Sequence, residues 1–262
     1  MVEPILTRVA HGEDGDNRFR GYSVAHELAG AETWLGVATL GITGRRLTEL
    51  ERGVLDDLGV ALTVGDPRVW PLKLARLVST YGSTLGGLAA GALSLDEARI
   101  GHWTTGEAAR FLTDLRRTVS GPDDVAGVET ACRASLASRG RLIGFGVPFR
   151  PIDERVVILT ERLLARGRDQ LEYWRLFTTL ADVVFRLKAL RPNMTMGAAA
   201  ACLDLGFDDR QTATVVSFLG LSDFLANTAE GAAQMSPALQ SLDLASIRYV
   251  GPPPRDSGRN KP

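Results

Sequence analysis

The chain has 262 residues, of which 45% are hydrophobic and 23% charged, with a formal net charge of −1. This balance is typical of a globular protein, and it argues against nucleic acid as a partner, since that binding needs a basic surface. The two cysteines, Cys132 and Cys202, show no metal-ligand spacing, so we expect no metal and a cytoplasmic location. No signal peptide or bilayer-spanning apolar run is recognisable, so we expect no membrane partner.

Helical spacing dominates the chain, and no convincing series of alternating strands is present, which predicts a nearly all-α fold. Three segments show an apolar stripe along one helix face: 48–62, 153–167 and 169–190. The third is expected to end before Pro192, because proline cannot continue a helix. The residues placed on these buried stripes are Leu50, Val54, Leu55, Leu58, Val156, Leu159, Leu163, Leu171, Trp174, Phe177, Leu180 and Val184.

The segment 78–93, "VSTYGSTLGGLAAGAL", is almost free of charge and rich in small residues. Each glycine inside a helix costs about 1 kcal/mol relative to alanine, so the helix must gain from close approach of another backbone. Two interpretations remain open. The segment forms a helix pair across a subunit interface, or it is a buried helix within the chain.

Two regions carry candidate functional residues. His102 follows Gly101 and precedes a helix that we expect Thr104 or Thr105 to cap, so its imidazole is placed either to donate a hydrogen bond to a carbonyl oxygen or to serve as a structural cap. The segment "RLIGFGVPFRPIDER", 141–155, combines a glycine turn with an arginine cluster. Such a loop suits an anionic ligand, although the arginines also fit a solvated surface loop. The clustered arginines are Arg139, Arg141, Arg150 and Arg155.

Taken in order, five segments resemble motifs of the citrate synthase family and its short relatives, the citryl-CoA lyases. They are "FRGYSVAHEL" (19–28), "RLVSTYGSTLGGLAAGALSLDEARIGHWTTGEAA" (76–109), "GFGVPFRPIDER" (144–155), "RPNMTMGAAAACLDLGF" (191–207) and "ASIRYVGP" (245–252). Each motif alone is weak, and it is their order and spacing that carry the resemblance.

The resemblance implies an all-α, citrate synthase-like homodimer. Its large helical domain would cover 18–104 and 206–250. A smaller helical domain, 105–205, would be inserted between them and close over the site. The residues 251–262 would form a flexible polar tail.

The resemblance also implies chemistry on a coenzyme A thioester, without a metal, and an acyl thioester as the small-molecule partner. His102 falls on the histidine that polarises the thioester oxygen, and Glu107 keeps the family's spacing to it. Arg155 falls on a carboxylate-binding arginine. The residues that fall on the coenzyme A loop are Arg141, Leu142, Ile143, Gly144, Phe145 and Gly146.

Several positions depart from the family pattern. Val147 stands where a second histidine is expected, and the arginine of a later segment falls at Gly220 or Leu221. The arginine lent by the partner subunit falls near Leu244. These losses predict a more apolar pocket, which favours a substrate less anionic than oxaloacetate.

Thr195 stands where the family has its catalytic aspartate. A threonine hydroxyl stays protonated near pH 7, and losing a positioned base typically costs about 10²–10⁴-fold in rate. Asp223 and Glu107 are candidates to replace that base.

Three functions therefore remain open. The first is a diverged enzyme that forms or cleaves a carbon–carbon bond next to an acyl-CoA or carrier-bound thioester. The second is a catalytically inactive dimer that binds a CoA-type ligand or a protein partner. The third is a plain helical interaction module.

Overall fold

The structure, a computed structural model, describes residues 4–98, 100–147, 151–234 and 243–253. Within these ranges, the side chains of Glu13, Asp96, Glu97, His102, Arg139 and Leu244 are not described. The described residues form eleven α-helices and one small sheet, which confirms the predicted all-α class. None of the helices in these ranges is both long and apolar enough to cross a membrane.

The elements follow one another along the chain as three short strands and then the helices. The strands are β1 (Ala10–Glu13), β2 (Asp16–Phe19) and β3 (Tyr22–Ser23). The helices are α1 (Trp34–Thr43), α2 (Glu49–Leu62), α3 (Trp70–Ser79), α4 (Thr84–Glu97), α5 (His102–Thr118), α6 (Val125–Arg139), α7 (Glu154–Ala165), α8 (Glu172–Lys188), α9 (Met194–Asp204), α10 (Asp209–Leu219) and α11 (Leu221–Ala232). A π-helical turn at Val24–Leu28 and a 3-10 turn at Leu244–Ser246 complete the described elements.

The N-terminal strands form an antiparallel sheet in the order β1-β2-β3. Gly15, with φ of 79°, allows the tight turn between β1 and β2. The sheet was not predicted, because strands of four, four and two residues are too short to show alternation. It places His11 opposite Arg18, and the π-helical turn that follows holds His26.

The three helices predicted from apolar stripes are present as α2, α7 and α8. All but two of the twelve stripe residues are buried. Leu171 is half-buried, because it lies just before the first turn of α8. Leu50 was expected in the core but is 44% exposed. It lies in the first turn of α2, at the edge of the core, where Glu49 is exposed as well.

A main hydrophobic core runs through α2 and α5 to α10, around the fully buried residues Leu112, Trp174 and Met196. A second, smaller cluster joins α3, α4 and α11 around Leu72, Ala75 and Phe224. We call these three helices the three-helix cluster.

The small-residue segment belongs to the three-helix cluster, but it is not one helix. Helix α3 ends at Ser79 and α4 begins at Thr84, because Gly82 turns the chain with φ of 91° and Ser83 Oγ accepts a hydrogen bond from Gly86 N. A β-carbon on Gly87 would lie 1.9 Å from Ser79 Oγ and 2.5 Å from the Ala75 carbonyl oxygen. The glycines of α4 therefore allow close packing within the chain.

Candidate functional site

The glycine turn of the 141–155 segment is paired with the chain that leads into α9. Gly146 N donates to Arg191 O at 2.8 Å, and Asn193 N donates to Gly144 O at 2.9 Å. The side-chain amide of Asn193 donates to Gly146 O at 3.0 Å. We call these two short segments, 144–146 and 191–193, the loop seam.

Gly144 is required where it stands in the loop seam. Its φ is 76°, and a β-carbon there would lie 2.7 Å from Met196 Cβ. Gly146 has φ of 85° but meets only Leu190 at 3.9 Å. The first glycine is therefore needed for both conformation and close approach, and the second mainly for conformation.

A buried carboxylate joins the loop seam to two helices. Asp153 is 2% exposed and lies immediately before α7. Its Oδ1 accepts from Arg155 N at 3.2 Å and from Arg155 Nε at 2.8 Å, and its Oδ2 accepts from an Arg155 terminal nitrogen at 2.8 Å. The same Oδ2 accepts from Met194 N, at the start of α9, at 2.8 Å. Asp153 thus caps α7 and holds the N-terminus of α9.

This arrangement shifts the acid–base behaviour of the carboxylate. Burial alone would raise the pKa of Asp153, but the Arg155 guanidinium and the backbone N–H donors outweigh it and hold the pKa below its usual value. The carboxylate is therefore charged at neutral pH. It neutralises Arg155, whose side chain stays 30% exposed.

The residues predicted to contact coenzyme A differ in their environment. Leu142 is buried in the main core, and Ile143 and Phe145 pack against that core. Arg141 is exposed, and Gly146 and Val147 are half-buried. Arg141 is thus the fully exposed side chain of 141–147, and Ile143, Phe145, Gly146 and Val147 are partly exposed.

His102 is the first residue of α5, and its side chain lies outside the described part of the structure. The helix does not begin at Thr104 or Thr105 as predicted. Gly101 is its N-cap, because a φ of 65° lets the chain turn directly into the helix. Both threonine hydroxyls donate instead to Gly101 O, at 3.0 and 2.7 Å.

Glu107 lies on the same helix as His102 and is half-buried. Its carboxylate accepts a hydrogen bond from Arg110 at 2.8 Å. Arg110 also donates to Asp209 of α10, so Glu107 belongs to an ion-pair group that joins α5 to α10.

Thr195 lies in the first turn of α9, beside the loop seam. Its backbone N–H donates to the Asn193 side chain, which caps the helix, and its side chain is half-buried. Thr195 therefore follows Met194, whose N–H donates to Asp153, and its own N–H donates to Asn193 of the loop seam.

Asp223, the other predicted replacement for the base, lies in the three-helix cluster instead. It is 8% exposed, and its Oδ2 accepts a hydrogen bond from Val64 N at 3.0 Å. Its carboxylate thereby holds the segment between α2 and α3.

Some predictions fall on residues without a description. They concern Pro148 to Arg150 (148–150), the side chains of Arg139 and Leu244, and the tail from 254 onward. No group of three or more metal-ligating side chains is found within the described ranges.

No protein-family model matches the chain, and no curated protein sequence matches it either. Solved structures do. Citryl-CoA lyase from Hydrogenobacter thermophilus matches with a TM-score of 0.81 at 22% identity, over 97% of each chain. The chain has the fold of citryl-CoA lyase.

Two larger proteins contain the same fold. ATP citrate lyase from Methanothrix soehngenii, in complex with citrate and coenzyme A, matches with a TM-score of 0.73 at 15% identity, over 96% of this chain and 43% of that chain. Citrate synthase from Thermoplasma acidophilum, in a ternary complex with carboxymethyl coenzyme A and oxaloacetate, matches with a TM-score of 0.61 at 16% identity, over 86% of this chain and 59% of that chain. The resemblance drawn from motif order is thereby confirmed for the fold.

Asp153 is the residue that sequence reasoning missed. It was visible as the acid two residues before Arg155, directly ahead of an apolar helical stripe, which is an N-cap signal. Its second role, on Met194 N, depends on a contact across 41 positions and leaves no local trace in the sequence.

Proposed function

We propose that the chain is a diverged enzyme that forms or cleaves a carbon–carbon bond next to an acyl-CoA or carrier-bound thioester. The observation that carries this proposal is the match of fold over the whole length of citryl-CoA lyase. The ATP citrate lyase and citrate synthase structures that share the fold hold coenzyme A or a derivative of it, which supports a CoA-type ligand here. In this proposal His102 polarises the thioester carbonyl, and Arg141 to Gly146 (141–146) receive the coenzyme A.

The partner substrate is proposed to be less anionic than oxaloacetate. Arg155 supports this, because Asp153 already occupies its Nε and one terminal nitrogen. The pair is neutral, so the remaining terminal nitrogen suits a carbonyl or hydroxyl oxygen better than a second carboxylate. Val147, half-buried next to the loop seam, would add apolar surface around that substrate.

The second candidate is a catalytically inactive dimer that binds a CoA-type ligand or a protein partner. It is favoured by Thr195, which cannot act as a base, and by Asp223, whose carboxylate is engaged by Val64 N. The homodimer, the cytoplasmic location and the division into domains at 105–205 belong to both candidates as proposals.

A ligand screen separates these candidates from a plain interaction module. The chain is heated with coenzyme A, acetyl-CoA and longer acyl-CoAs, and its free energy of unfolding is compared with that of the free protein. A ligand at about 100 times its Kd stabilises the fold by about 2.7 kcal/mol. If no CoA species raises the melting temperature, the enzyme acting on an acyl-CoA and the inactive dimer that binds a CoA-type ligand both fail.

Catalysis is then tested by following exchange of the acyl α-proton in deuterated water by NMR. The diverged enzyme predicts exchange that is lost in His102→Ala and kept in His26→Ala, a histidine in the N-terminal π-helical turn. Binding without exchange in the unmodified chain supports the inactive dimer instead.

The charge of the partner substrate is tested with two arginines of α7. Arg155→Gln should change which carbonyl compounds the acyl thioester reacts with, whereas Arg162→Gln, on an exposed position of the same helix, should not. Oxaloacetate as the preferred partner would contradict the proposed substrate class.

A further inference from the structure

A cleft of about 850 Å³ opens between α3 and α11 in the three-helix cluster. It shares no lining residue with the loop seam or with Asp153 and Arg155. Its volume lies within the range of about 300–1,000 Å³ that is usual for small-molecule sites. The side chains that matter for its chemistry are Pro67, Arg68, Trp70, Lys73, Arg76 and Glu230.

Three of these side chains follow one face of α3. Trp70, Lys73 and Arg76 are spaced three residues apart, so they lie beside one another along the helix. Trp70, the first residue of α3, is 49% exposed, which leaves a large aromatic surface open to a ligand. Pro67 adds a second apolar surface from the segment before the helix.

The cations that line the cleft differ in whether they are neutralised. Arg68 forms an ion pair with Asp66, and Arg76 forms a two-pronged pair with Glu230 at 2.6 and 2.8 Å. Lys73 is exposed and makes no ion pair with the residues that the structure describes. The cleft therefore offers one uncompensated positive charge, one helical turn from the exposed indole.

We propose that this cleft binds a small monoanion with a flat apolar body, such as an aromatic or conjugated carboxylate. The carboxylate pairs with Lys73, and the flat body lies against Trp70 and Pro67. A ligand with several charges fits less well, because Arg68 and Arg76 already have carboxylate partners. The inference rests on the cleft alone and is independent of the reaction proposed above.

The probe is 2-naphthoate, a flat monocarboxylate, measured by equilibrium dialysis against the full chain. It is compared with 2-naphthol, which has the same rings without a charge near pH 7, and with citrate, which has charges without a flat body. We expect saturable binding of 2-naphthoate and at least about tenfold weaker binding of the other two, because each lacks one of the two contacts.

Variants locate the site. Lys73→Gln should weaken 2-naphthoate about fivefold and Trp70→Ala about tenfold, while Trp70→Phe keeps a flat ring and most of the affinity. The matched controls are Lys188→Gln, an exposed lysine in the last turn of α8, and Trp34→Ala, a 76% exposed tryptophan at the start of α1. Both controls should bind as the unmodified chain does.

Competition identifies the source of the natural ligand. If acyl-CoAs displace 2-naphthoate, the cleft receives a part of the reaction's own substrate or product. If both bind together, the cleft receives a separate effector, and either result keeps the proposal. Absence of saturable 2-naphthoate binding overturns it. Equal affinity of Lys73→Gln and the unmodified chain for 2-naphthoate also overturns it. A change in the solution mass of the Lys73→Gln protein would overturn it as well, because it would identify a second copy of the chain as the occupant of the cleft.

Discussion

The loop seam and the three-helix cluster both bring two backbone segments close together, but they do so by opposite means. The loop seam uses hydrogen bonds between 144–146 and 191–193, secured by the buried Asp153. The three-helix cluster uses missing side chains, since Gly87 and Gly91 let α4 approach α3 and α11. Close approach in the loop seam therefore depends on hydrogen-bond partners, and in the three-helix cluster it depends on the small volume of glycine.

This difference bears on where each region can accept a ligand. In the loop seam, Asp153 already satisfies Arg155, so the arginine is held in place with its charge neutralised. In the three-helix cluster, α3 packs closely against α4, and on the face of α3 that lines the cleft Arg76 pairs with Glu230 while Trp70 and Lys73 stay exposed.

The largest effect is expected from Gly144→Ala in the loop seam. The new β-carbon would collide with Met196 at 2.7 Å in a backbone conformation with φ of 76°. Backbone strain of about 1–2 kcal/mol and overpacking of about 1–3 kcal/mol together predict that the free energy of unfolding falls by about 4 kcal/mol. The control is Gly140→Ala, which has φ of 68° and no atom within 4 Å, and should show the strain alone. Urea unfolding measures both, and equal losses would mean that Met196 yields.

Asp153→Ala should have the second largest effect, with the free energy of unfolding lowered by about 3 kcal/mol. It removes a buried carboxylate that pairs with Arg155 and accepts from Met194 N, although the partly exposed Arg155 can regain water. Asp124→Ala is the matched control, because Asp124 caps α6 through Gly127 N and accepts hydrogen bonds from Ser120, without an arginine partner. Loss of a cap alone costs about 1 kcal/mol. A similar cost for both variants in chemical unfolding would reduce Asp153 to a simple cap.

The two regions also differ in how far they could be predicted from the sequence. The apolar stripes of α2, α7 and α8 repeat with the helical period, so their burial follows from local order. The glycine turn was recognisable because two glycines precede two prolines. The partner of that turn, 191–193, and the link from Asp153 to Met194 depend on contacts over about 40 residues or more, which no local pattern encodes. The position of Asp223 could not be predicted for the same reason: its residue type was visible, but its partner, Val64, was not.

Gly87→Ala tests whether the three-helix cluster depends on the missing side chain at this position, which lets α4 approach α3. Its β-carbon would lie 2.5 Å from the Ala75 carbonyl oxygen, and this backbone atom can move only if α3 moves. Overpacking outweighs the gain of about 1 kcal/mol in helix propensity, so we expect a net loss of about 2 kcal/mol. Gly86→Ala, the neighbouring position, meets only the Ser83 and Val78 side chains and should be neutral or stabilising. Thermal unfolding that ranks the two variants in the opposite order would contradict close packing of α3 and α4.

A pH titration compares Asp153 with Asp204, a half-buried carboxylate at the end of α9. Burial raises the pKa of Asp204 to about 6, against the opposing donors Tyr173 N and Trp174 N. The folded state therefore takes up a proton between pH 6 and pH 4 that the unfolded chain does not, so this group makes the fold more stable as the pH falls. Asp153, whose pKa is lowered, acts in the opposite sense: its contribution is present above pH of about 4 and is lost on further acidification. Asp204→Asn should remove about 1–2 kcal/mol of the difference in stability between pH 7 and pH 4, measured by urea unfolding at each pH. An unchanged pH profile would show that Asp204 titrates normally.

The smallest effect is expected for Arg76→Gln at the rim of the three-helix cluster. Arg76 and Arg155 both make two-pronged contacts with a carboxylate, but Glu230 is 62% exposed whereas Asp153 is 2% exposed. Water stabilises the Glu230 charge once Arg76 is gone, so the loss should stay below about 1 kcal/mol and shrink further in about 1 M salt. Arg155→Gln leaves a buried charge without its partner, so it should cost about 2 kcal/mol and respond little to salt. Chemical unfolding of both variants at low and high salt compares them directly. The two variants could instead lose the same unfolding free energy and respond alike to salt. Exposure of the carboxylate would then not set the strength of these pairs, and the claim that Asp153 fixes Arg155 more firmly than Glu230 fixes Arg76 would be wrong.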